Sequence, residues 1–596
     1  MHGCPASHDG GGSVRGREDL RARLKAWVLH EAESGRKSLV ELWARPLAER
    51  VELGECLRGL EFRGRVGDGC LCFHCEHPPA KFRKKDALTL LPDEGEEVDR
   101  GLAVQFEEHD PEKKGVLLRV DRFANGAGVE LPGAGVWRLE RRAMEMEGLL
   151  LEGLDTVFGE GNEVVVETLL GKGGREVNEE RKAEGERRGE ERGFTEAQRR
   201  ALAQAVGTEG VCLIQGPPGT GKTRVLAEAA LLLARKRCRI FVCGFTHRAI
   251  ENLLLAIREL DREIPLFKIG RVSSETQAQD ARLQVLRKLD GWRPPPGGLV
   301  VGGTAFVARK PRTQRMFHFV FLDEAGQLPV VHAALAMTLA RRYVIAGDPC
   351  QLPPVRAGVF QDPVLGSSIF EHLARFHPFH FLDLSFRMNE GLCSFVSKEF
   401  YEGRLRSADS AAGRRLASSP GQVAEPSPIA ELLDPGHPLI WARVPHRGRL
   451  RASPEEARVV ADLCEELLLG RGLPPEELAV LSPYRSQVRE IHSVLERRGL
   501  LRRGLCVDTI ERMQGQEREV VLISAGASDR DDLERQGSFY YDPGRWNVAL
   551  SRARSKCVLV ASPELFRARP MDLEALVAVA HLKRLGREIP RVDLRD

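Results

Sequence analysis

The stretch Val211-Cys212-Leu213-Ile214-Gln215-Gly216-Pro217-Pro218-Gly219-Thr220-Gly221-Lys222-Thr223 decides the fold of this chain. Its first five residues form an apolar run of the kind that becomes a buried parallel strand. The remainder, which we call the phosphate loop (residues 216–223), matches Gly-x-x-x-x-Gly-Lys-Thr. In such a loop the glycines let backbone N–H groups turn inward around phosphates, and the following helix adds its positive end. We expect Lys222 to reach the β- and γ-phosphates of a nucleotide and Thr223 to place its hydroxyl on Mg²⁺.

Two acidic residues follow another apolar run, in Leu322-Asp323-Glu324-Ala325-Gly326-Gln327. Adjacent carboxylates at the end of a buried strand can do different work, so we expect Asp323 to hold Mg²⁺ and Glu324 to polarise an attacking water. Gly347-Asp348-Pro349-Cys350-Gln351 comes directly after a third apolar run. There, Gln351 is placed to touch the γ-phosphate and report its loss. Together these segments predict hydrolysis of a nucleoside triphosphate.

Length and charge narrow the class of protein. A chain of 596 residues is too long for one hydrophobic core, which predicts three or four domains. The net charge of +3 is mild, so any binding of nucleic acid must come from a local groove. No stretch approaches about 18 consecutive apolar residues, and the opening Met1-His2-Gly3-Cys4-Pro5 lacks a signal-peptide pattern. We therefore expect a cytoplasmic protein with no membrane partner.

One group of cysteines and histidines is dense enough to consider as a metal site. Cys70, Cys72, His74, Cys75 and His77 lie close together, with Cys56 upstream. A Cys-x-x-Cys pair can hold zinc or an iron–sulfur cluster. The stretch also has the pattern of a strand with alternating sides, and a second well-spaced pair is missing. This favours a structural strand, with a metal site as the alternative.

The amino-acid composition of the chain before residue 194 changes several times. Residues 1–16 are rich in Gly, Ser and His, which predicts a disordered tail, and residues 17–50 carry apolar side chains near helical spacing. Residues 51–168 break short apolar runs with Gly, Pro and Asp, which predicts a small β-barrel. We count Glu163-Val164-Val165-Val166 among its strands.

Residues 169–193 are dense in charges of both signs. This composition predicts a solvated helical stalk rather than a tail that binds nucleic acid. Gly185 and Gly189 weaken the prediction that the helix is continuous.

From residue 194 onward, strands and helices alternate as in a parallel sheet with helices on both faces. Apolar runs suited to buried strands occur at 211–215, 240–244, 299–301, 319–322 and 343–346. A second set begins near 379–384 and continues at 478–481, 504–507, 520–524 and 557–561. We expect an α/β fold with two parallel-sheet domains, at residues 194–372 and 373–596, and a cleft between them.

The second of these domains contains a stretch of different composition. Residues 406–452, rich in Ser, Pro and Gly, are expected to be a surface excursion. The excursion ends where Ser453-Pro454-Glu455-Glu456 has the form of a capping box at the start of a helix.

The same segments, in this order, resemble the motifs of superfamily 1 helicases. The resemblance is to the branch that includes the nonsense-mediated-decay helicase and the helicase half of the eukaryotic replication nuclease-helicase. It covers about residues 190–562 and stops at the motor, because no nuclease signature is evident. The further matching segments are Phe194-Thr195-Glu196-Ala197-Gln198, Leu384-Ser385-Phe386-Arg387-Met388-Asn389, Phe400-Tyr401-Glu402-Gly403-Arg404-Leu405, Leu481-Ser482-Pro483-Tyr484-Arg485-Ser486-Gln487, Val507-Asp508-Thr509-Ile510 with Gln514-Gly515-Gln516-Glu517, and Arg545-Trp546-Asn547-Val548-Ala549-Leu550-Ser551-Arg552-Ala553-Arg554.

The resemblance implies two RecA-like domains that clamp ATP and Mg²⁺, with a β-barrel on a stalk over the nucleic-acid channel. It implies that Gln198 reads the adenine, that Phe386 stacks on the base, and that Glu517 lies near the ribose. It also implies that Arg387 and Arg552 reach the γ-phosphate from the second domain. An arginine in that place stabilises the charge of the transition state.

The resemblance further implies contacts with single-stranded DNA or RNA across the top of both sheets. The matching positions are Thr246, His247, Thr304, Pro483, Tyr484, Arg485 and Thr509. Small hydroxyls and backbone amides bind phosphates without reading sequence, and an aromatic ring can stack on a base. Tyr484 can equally be a packing residue. DNA and RNA are not distinguished, because only contacts to the 2′-hydroxyl separate them.

The function implied is that of a helicase or translocase, driven by ATP hydrolysis and moving 5′-to-3′. One alternative is an ATP-switched nucleic-acid-binding protein that recruits partners without unwinding. A metabolite kinase that shares only the phosphate loop is a third hypothesis, but it leaves residues 384–389 and 545–554 unexplained.

Overall fold

The computed structural model describes the chain from residue 10 onward, with gaps at 53, 67–69, 77–81, 83–85, 95–100, 111–113, 122–134, 143–145, 175, 271, 309–312, 359, 361, 363–364, 418–426, 536, 572 and 595–596. The chain divides into two compact units. The smaller unit consists of residues 22–152 and 356–362. The larger unit consists of residues 153–355 and 363–596, together with the chain before residue 22.

The smaller unit contains the predicted β-barrel. Two helices precede the strands along the chain, α1 (Gly10–Trp43), of which the part from residue 22 onward belongs to this unit, and α2 (Leu47–Glu52). The strands are β1 (Cys56–Val66), β2 (Cys70–His74), β3 (Ala87–Pro92), β4 (Leu102–Asp110), β5 (Gly115–Val120) and β6 (Val136–Arg141). They pair antiparallel in the order β1-β2-β5-β4-β3-β6, and β6 closes on β1. Closure leaves the barrel without an unpaired edge strand.

Strand β2 carries the group of cysteines and histidines. Leu71 and Phe73 are fully buried in the barrel core, and Cys70, Cys72 and His74 occupy the alternate positions. Successive side chains of a strand point to opposite faces, so the core-facing positions of β2 are apolar. The predicted strand is confirmed. Within the described residues no three His, Cys, Asp or Glu side chains group as metal ligands, and His77 lies outside those residues.

Two predictions for the N-terminal region are wrong. Residues 163–166 do not form a barrel strand but open the helix α4 (Glu163–Leu169), which follows α3 (Glu147–Val157). A run of three apolar residues is too short for its period to distinguish strand from helix. Residues 10–16, predicted to be disordered, belong to α1. The rest of the predicted tail, residues 1–9, lies outside the described residues.

The charged segment forms one continuous helix, α5 (Glu179–Glu191), which packs against α6 (Glu196–Gly207). Its two glycines are the points of closest approach. A Cβ on Gly185 would lie 2.7 Å from Cα of Ala203, and a Cβ on Gly189 would lie 2.8 Å from Cγ of Arg199. The glycines therefore permit the contact between the helices. The predicted stalk is thus helical, and one side of it packs against α6.

The larger unit contains two large sheets, and the first of them has eight strands. These are β7 (Val211–Gln215), β8 (Arg239–Gly244), β9 (Leu266–Ile269), β10 (Gln284–Leu286), β11 (Leu299–Gly302), β12 (Phe319–Asp323), β13 (Tyr343–Gly347) and β14 (Phe379–Phe381). All pairings are parallel, in the order β10-β9-β11-β8-β12-β13-β7-β14. The associated helices are α7 (Lys222–Arg235), α8 (His247–Leu260), α9 (Ser274–Gln279), α10 (Val330–Met337) and α11 (Ile369–Ala374). We call this sheet and its helices the first lobe.

The second lobe contains a short pair, β15 (Leu384–Ser385) with β16 (Arg406–Ser407), and a six-stranded parallel sheet. The strands of that sheet are β17 (Leu439–Arg443), β18 (Leu478–Ser482), β19 (Cys506–Thr509), β20 (Arg518–Ser524), β21 (Ala553–Ala561) and β22 (Arg591–Asp593). They are ordered β19-β18-β20-β21-β17-β22. The helices are α12 (Glu390–Phe400), α13 (Asp409–Ala412), α14 (Pro428–Leu432), α15 (Pro454–Glu465), α16 (Arg485–Arg497), α17 (Arg530–Arg535), α18 (Gly537–Tyr540), α19 (Pro543–Leu550) and α20 (Leu573–Glu588).

The predicted α/β class with two parallel sheets is confirmed, with two corrections. Residues 379–381 pair with β7 and so belong to the first sheet, not to the second. Residues 439–443, predicted to lie in a surface excursion, form the buried strand β17 between β21 and β22. Among the helices that the structure describes, none is both long and apolar enough to cross a lipid bilayer.

The predicted helix start at Ser453 is half right. The Ser453 hydroxyl accepts a hydrogen bond from the N–H of Glu456 at 3.1 Å, as an N-cap should. The Glu456 carboxylate does not return to Ser453 as in a capping box. It is fully buried and instead accepts from the Ser524 hydroxyl at 2.7 Å and from the N–H of Gly526 at 2.8 Å.

We expect Gly185→Val to lower the free energy of unfolding by about 1–3 kcal/mol, because the new side chain must displace α5 from α6. Helix propensity alone predicts the opposite sign, since valine is a better helix former than glycine. The control Arg187→Val, at an exposed position of the same helix, should change stability by less than about 0.5 kcal/mol. Urea unfolding of both variants measures this, and equal effects in the two would contradict the close contact.

Candidate nucleotide site and nucleic-acid face

The phosphate loop connects the end of β7 to the start of α7. Gly219 and Gly221 have φ angles of 74° and 78°, a left-handed conformation that glycine adopts without strain. The N–H of Gly216 donates to the carbonyl of Gly347 at 3.0 Å, which ties the loop to the end of β13. Thr223 lies in the first turn of α7. Backbone N–H groups at a helix start suit a phosphate, so the loop has the predicted form.

Gln198 lies directly against this loop. Its side-chain amide donates to the carbonyl of Thr220 at 2.9 Å, and its side-chain carbonyl accepts from the N–H of Thr195 at 3.0 Å. A Cβ on Gly221 would come within 2.7 Å of the same amide nitrogen, so any other residue there would have to displace the Gln198 side chain. Gln198 is therefore fixed at the edge of the pocket. Its contact with adenine stays a prediction.

Lys222 is held between the two predicted carboxylates. Its Nζ lies 2.9 Å from Oε1 of Glu324 and 3.2 Å from Oδ1 of Asp323. Burial alone would lower the pKa of Lys222, but the charges of Asp323 and Glu324 outweigh burial and raise it. Burial would raise the pKa of Glu324, but the charge and hydrogen bond of Lys222 lower it. The lysine and Glu324 therefore form an ion pair.

Asp323 ends β12, and Glu324, directly after it, has an unusual backbone conformation. Burial raises the pKa of Asp323, against the charge of Lys222. Glu324 has a φ of 53°, in the left-handed region that residues with a Cβ rarely adopt. Its N–H donates to Oδ1 of Asp323 at 2.8 Å. Such conformations cluster at functional sites because the surrounding structure must enforce them.

Residues 384–389 of the second lobe rest on the phosphate loop. The N–H of Phe386 donates to the carbonyl of Gly219 at 2.8 Å, and the Ser385 hydroxyl donates to the carbonyl of Pro218 at 2.9 Å. A Cβ on Gly219 would collide with Cβ of Arg387. The Arg387 guanidinium donates to Glu517 at 2.6 Å. This segment therefore lies at the phosphate loop, and the predicted contacts of Phe386 with the base and of Arg387 with the γ-phosphate stay predictions.

Arg552 approaches the same pocket from the start of β21. It is almost fully buried, and its Nη2 lies 3.4 Å from Oε1 of Gln351 in the first lobe. Burial, and then repulsion from Arg387, lower the pKa of Arg552, while attraction to Glu324 opposes them. The structure thus brings Lys222, Glu324, Gln351, Arg387 and Arg552 together, as the motifs predicted. Their catalytic roles stay predictions.

The predicted nucleic-acid contacts follow the carboxyl ends of parallel strands. Thr246 and His247 come after β8, Thr304 follows β11, Pro483, Tyr484 and Arg485 follow β18, and Thr509 ends β19. Carboxyl ends of parallel strands meet at one edge of a sheet, so each lobe gathers its candidates at that edge. Thr246 and His247 are exposed, whereas Thr509 is nearly buried. The ammonium of the buried Lys268 donates a hydrogen bond to Nδ1 of His247 at 2.9 Å.

Tyr484 is a packing residue in this structure. It is 7% exposed, and its ring lies 5.8 Å from that of Phe539 and 5.5 Å from that of Tyr540, between ring centroids. The Arg451 guanidinium lies over the same ring at 5.8 Å. Of the two interpretations that the sequence left open, packing is the one observed. Phe539, which is 41% exposed, is the more accessible ring of this cluster and had no motif to mark it.

Comparisons with known proteins agree with these motifs. Two family models, each described as an AAA domain, match residues 193–290 with 299–357 and residues 365–564. The chain is 28% identical over 390 residues to the DNA replication ATP-dependent helicase/nuclease dna2 of Schizosaccharomyces pombe, covering 61% of this chain and 27% of that protein. It is 32% identical over 270 residues to the human 3′-5′ exoribonuclease HELZ2, covering 42% of this chain and 9% of that protein. Among solved structures, the arterivirus nonstructural protein 10, a helicase, matches at 14% identity with a TM-score of 0.38, over 87% of this chain and 80% of its own.

The fold and the pocket define a P-loop protein of two RecA-like domains. The family models, the curated relatives and the order of the motifs together identify the family within this class. The chain belongs to superfamily 1 of the helicases, in the branch of the nonsense-mediated-decay helicase and the replication nuclease-helicase, through its motor region. That region spans about a quarter of the S. pombe relative's length.

We expect Gly219→Ala to weaken nucleotide binding by about tenfold or more, because the new Cβ is both strained at this φ and blocked by Arg387. Gly193→Ala is the matched control. Its φ of 64° carries similar strain, but nothing lies within 4 Å of a Cβ there. Titration with a fluorescent ATP analogue gives both affinities. Equal losses in the two variants would show that backbone strain, not the contact with Arg387, causes the effect.

Proposed function

We propose that this chain is an ATP-driven helicase or translocase that moves 5′-to-3′ along single-stranded DNA or RNA. The observation that carries the proposal is the meeting of Arg387 and Arg552 with the pocket of Lys222 and Glu324. Groups from two lobes that share one pocket can couple nucleotide cleavage to movement of the lobes. The direction rests on the family resemblance alone.

ATP use follows from membership of the helicase family, and the pocket suits a magnesium complex of ATP. Thr223 and Asp323 would hold Mg²⁺, which supplies a positive charge that polarises the phosphate oxygens. When ATP binds, Lys222 would leave its ion pair with Glu324 and contact the β- and γ-phosphates instead. The Glu324 carboxylate, no longer paired with that lysine, is then available to take a proton from the attacking water.

The proposed track for the strand is the edge formed by the carboxyl ends of the strands in each lobe. Thr246 and His247 of the first lobe are exposed, and Arg485 of the second lobe is half-buried. Their side chains suit contacts with phosphates. One relative is named as a DNA replication helicase/nuclease and the other as an exoribonuclease. Their names therefore leave DNA and RNA equally open for this chain.

Lys222→Ala and Glu324→Gln should each reduce ATP hydrolysis stimulated by single strands by about a hundredfold or more. Glu324→Gln should still bind ATP, since it keeps the lysine and the loop. The control Lys236→Ala, just beyond the other end of α7, pairs with Glu184 outside the pocket and should keep full activity. Full strand-stimulated hydrolysis in either pocket variant would refute the assignment.

Duplexes with 5′ or 3′ single-stranded tails, made of DNA or of RNA, test movement directly. At one fixed ionic strength we expect unwinding only of substrates with a 5′ tail. Displacement of streptavidin from a biotinylated strand reports translocation on the same tails. ATP turnover without strand separation or protein displacement would favour the switch hypothesis, in which the protein recruits partners without unwinding.

A further inference from the structure

A buried chain of hydrogen bonds joins the two lobes beside the nucleotide pocket. It consists of Gln215, Asp348 and Gln351 from the first lobe and Tyr401 and Asn547 from the second, and we call it the interlobe network. Of these residues, only Gln351 was predicted as a site residue. The others lie within or directly before segments that matched helicase motifs, but no role had been assigned to them.

The network is centred on the Asp348 carboxylate. Oδ2 accepts from the Tyr401 hydroxyl at 2.5 Å and from the Gln351 side-chain amide at 2.7 Å. Oδ1 accepts from the Gln215 amide at 3.3 Å and from the N–H of Cys350 at 3.2 Å. The Tyr401 hydroxyl in turn accepts from the Asn547 amide at 2.8 Å, and that amide also donates to the carbonyl of Cys350 at 2.7 Å. Within the network, the Tyr401 hydroxyl and the Asn547 amide therefore both link the second lobe to the first.

The three central residues are closed to water. Asp348, Tyr401 and Asn547 are 3%, 1% and 0% exposed. Burial raises the pKa of Asp348, and its hydrogen bonds, that of Tyr401 first, oppose this. Burial, and then the charge of Asp348, raise the pKa of Tyr401 well above its ordinary value. The hydroxyl thus keeps its proton, and in this dry setting it must donate that proton to a fixed acceptor.

The network touches the pocket at two points. Gln215 is the residue directly before the phosphate loop. Gln351 donates its amide N–H to Asp348, which leaves its Oε1 facing Nη2 of Arg552 at 3.4 Å. An amide flipped the other way would present N–H groups to the guanidinium and repel it. Asp348 therefore fixes the orientation in which Gln351 can meet both the arginine and a γ-phosphate.

We propose that Tyr401 is a positioning residue that acts through Asp348 on Gln351 and Arg552, and so couples the contact between the lobes to ATP hydrolysis. This inference rests on the proposed function. Tyr401 belongs to the core of the second lobe, directly after α12, whereas its acceptor belongs to the first. The hydrogen bond is made only when the lobes meet in this arrangement, and it then orders the groups around the γ-phosphate.

Tyr401→Phe tests the proposal, because it removes one hydroxyl and leaves the ring in place. We expect kcat for strand-stimulated ATP hydrolysis to fall by about tenfold, with KM for ATP changed less than about threefold. Tyr541→Phe is the matched control. Its hydroxyl is also buried, but it donates to the carbonyl of Leu565 inside the second lobe at 2.9 Å. The control should keep the wild-type kcat, and both variants should unfold at similar temperatures.

A double-mutant cycle separates positioning from general packing. If Tyr401 acts through Asp348, Tyr401→Phe combined with Asp348→Asn should be no slower than the slower single variant. Additive losses, an unchanged kcat in Tyr401→Phe, or an equal loss in Tyr541→Phe would each overturn the inference. Wild-type protein assayed in parallel separates the two claims: no strand stimulation in the wild type contradicts the proposed function itself, and this inference with it.

Discussion

The nucleotide pocket depends on the balance of charge around Lys222, in a site largely closed to water. An uncompensated charge in such a place is costly, so the lysine needs carboxylates close by, and the end of β12 supplies both. This requirement locks the phosphate loop to that strand and explains why Glu324 tolerates a left-handed backbone. It also means that phosphate groups can enter only by replacing one set of negative charges with another. Under the proposed function, the second lobe would then supply the extra positive charge that a triphosphate needs.

The two arginines of the second lobe are prepared differently for this task. Arg387 is already paired with Glu517, whose pKa it lowers against the effect of burial. The hydrogen bonds described for Arg552 run to neutral oxygens, at Val548, Gln516, Ser551 and Gln351. A buried guanidinium without a carboxylate partner gains most from a new negative charge. Under the proposed function, Arg552 is therefore the side chain expected to gain most from a γ-phosphate, whereas Arg387 would mainly close the pocket.

Elements of the fold that depend on a local sequence pattern were predictable, and elements that depend on tertiary contacts were not. The run 211–215 is apolar because a central parallel strand is buried on both faces, so the sequence alone identifies it as a strand. Residues 163–166 form an equally apolar run with no period long enough to exclude a helix, and the prediction failed there. The strand at 379–381 was found but placed in the wrong sheet, because pairing with β7 is decided by tertiary contacts. A local pattern marks Gly185 only as a weak point of its helix, because the contact with Ala203 on the neighbouring helix depends on the tertiary fold.

In the candidate site, too, the sequence identifies single motif residues but not the contacts that the fold makes between them. The interlobe network is an example. Motifs identify a residue by its chemistry, but the Tyr401 hydroxyl meets Asp348 across 53 positions of sequence, and only the fold brings them together. The arrangement also suits a contact that must break. Three donors to Asp348 belong to its own lobe, so the carboxylate stays hydrogen-bonded when Tyr401 withdraws. If a buried salt bridge joined the lobes at this position, separation of the lobes would leave two unpaired charges. A hydroxyl leaves none, so in the proposed motor the lobes would separate and meet again at each turnover without leaving an unpaired charge.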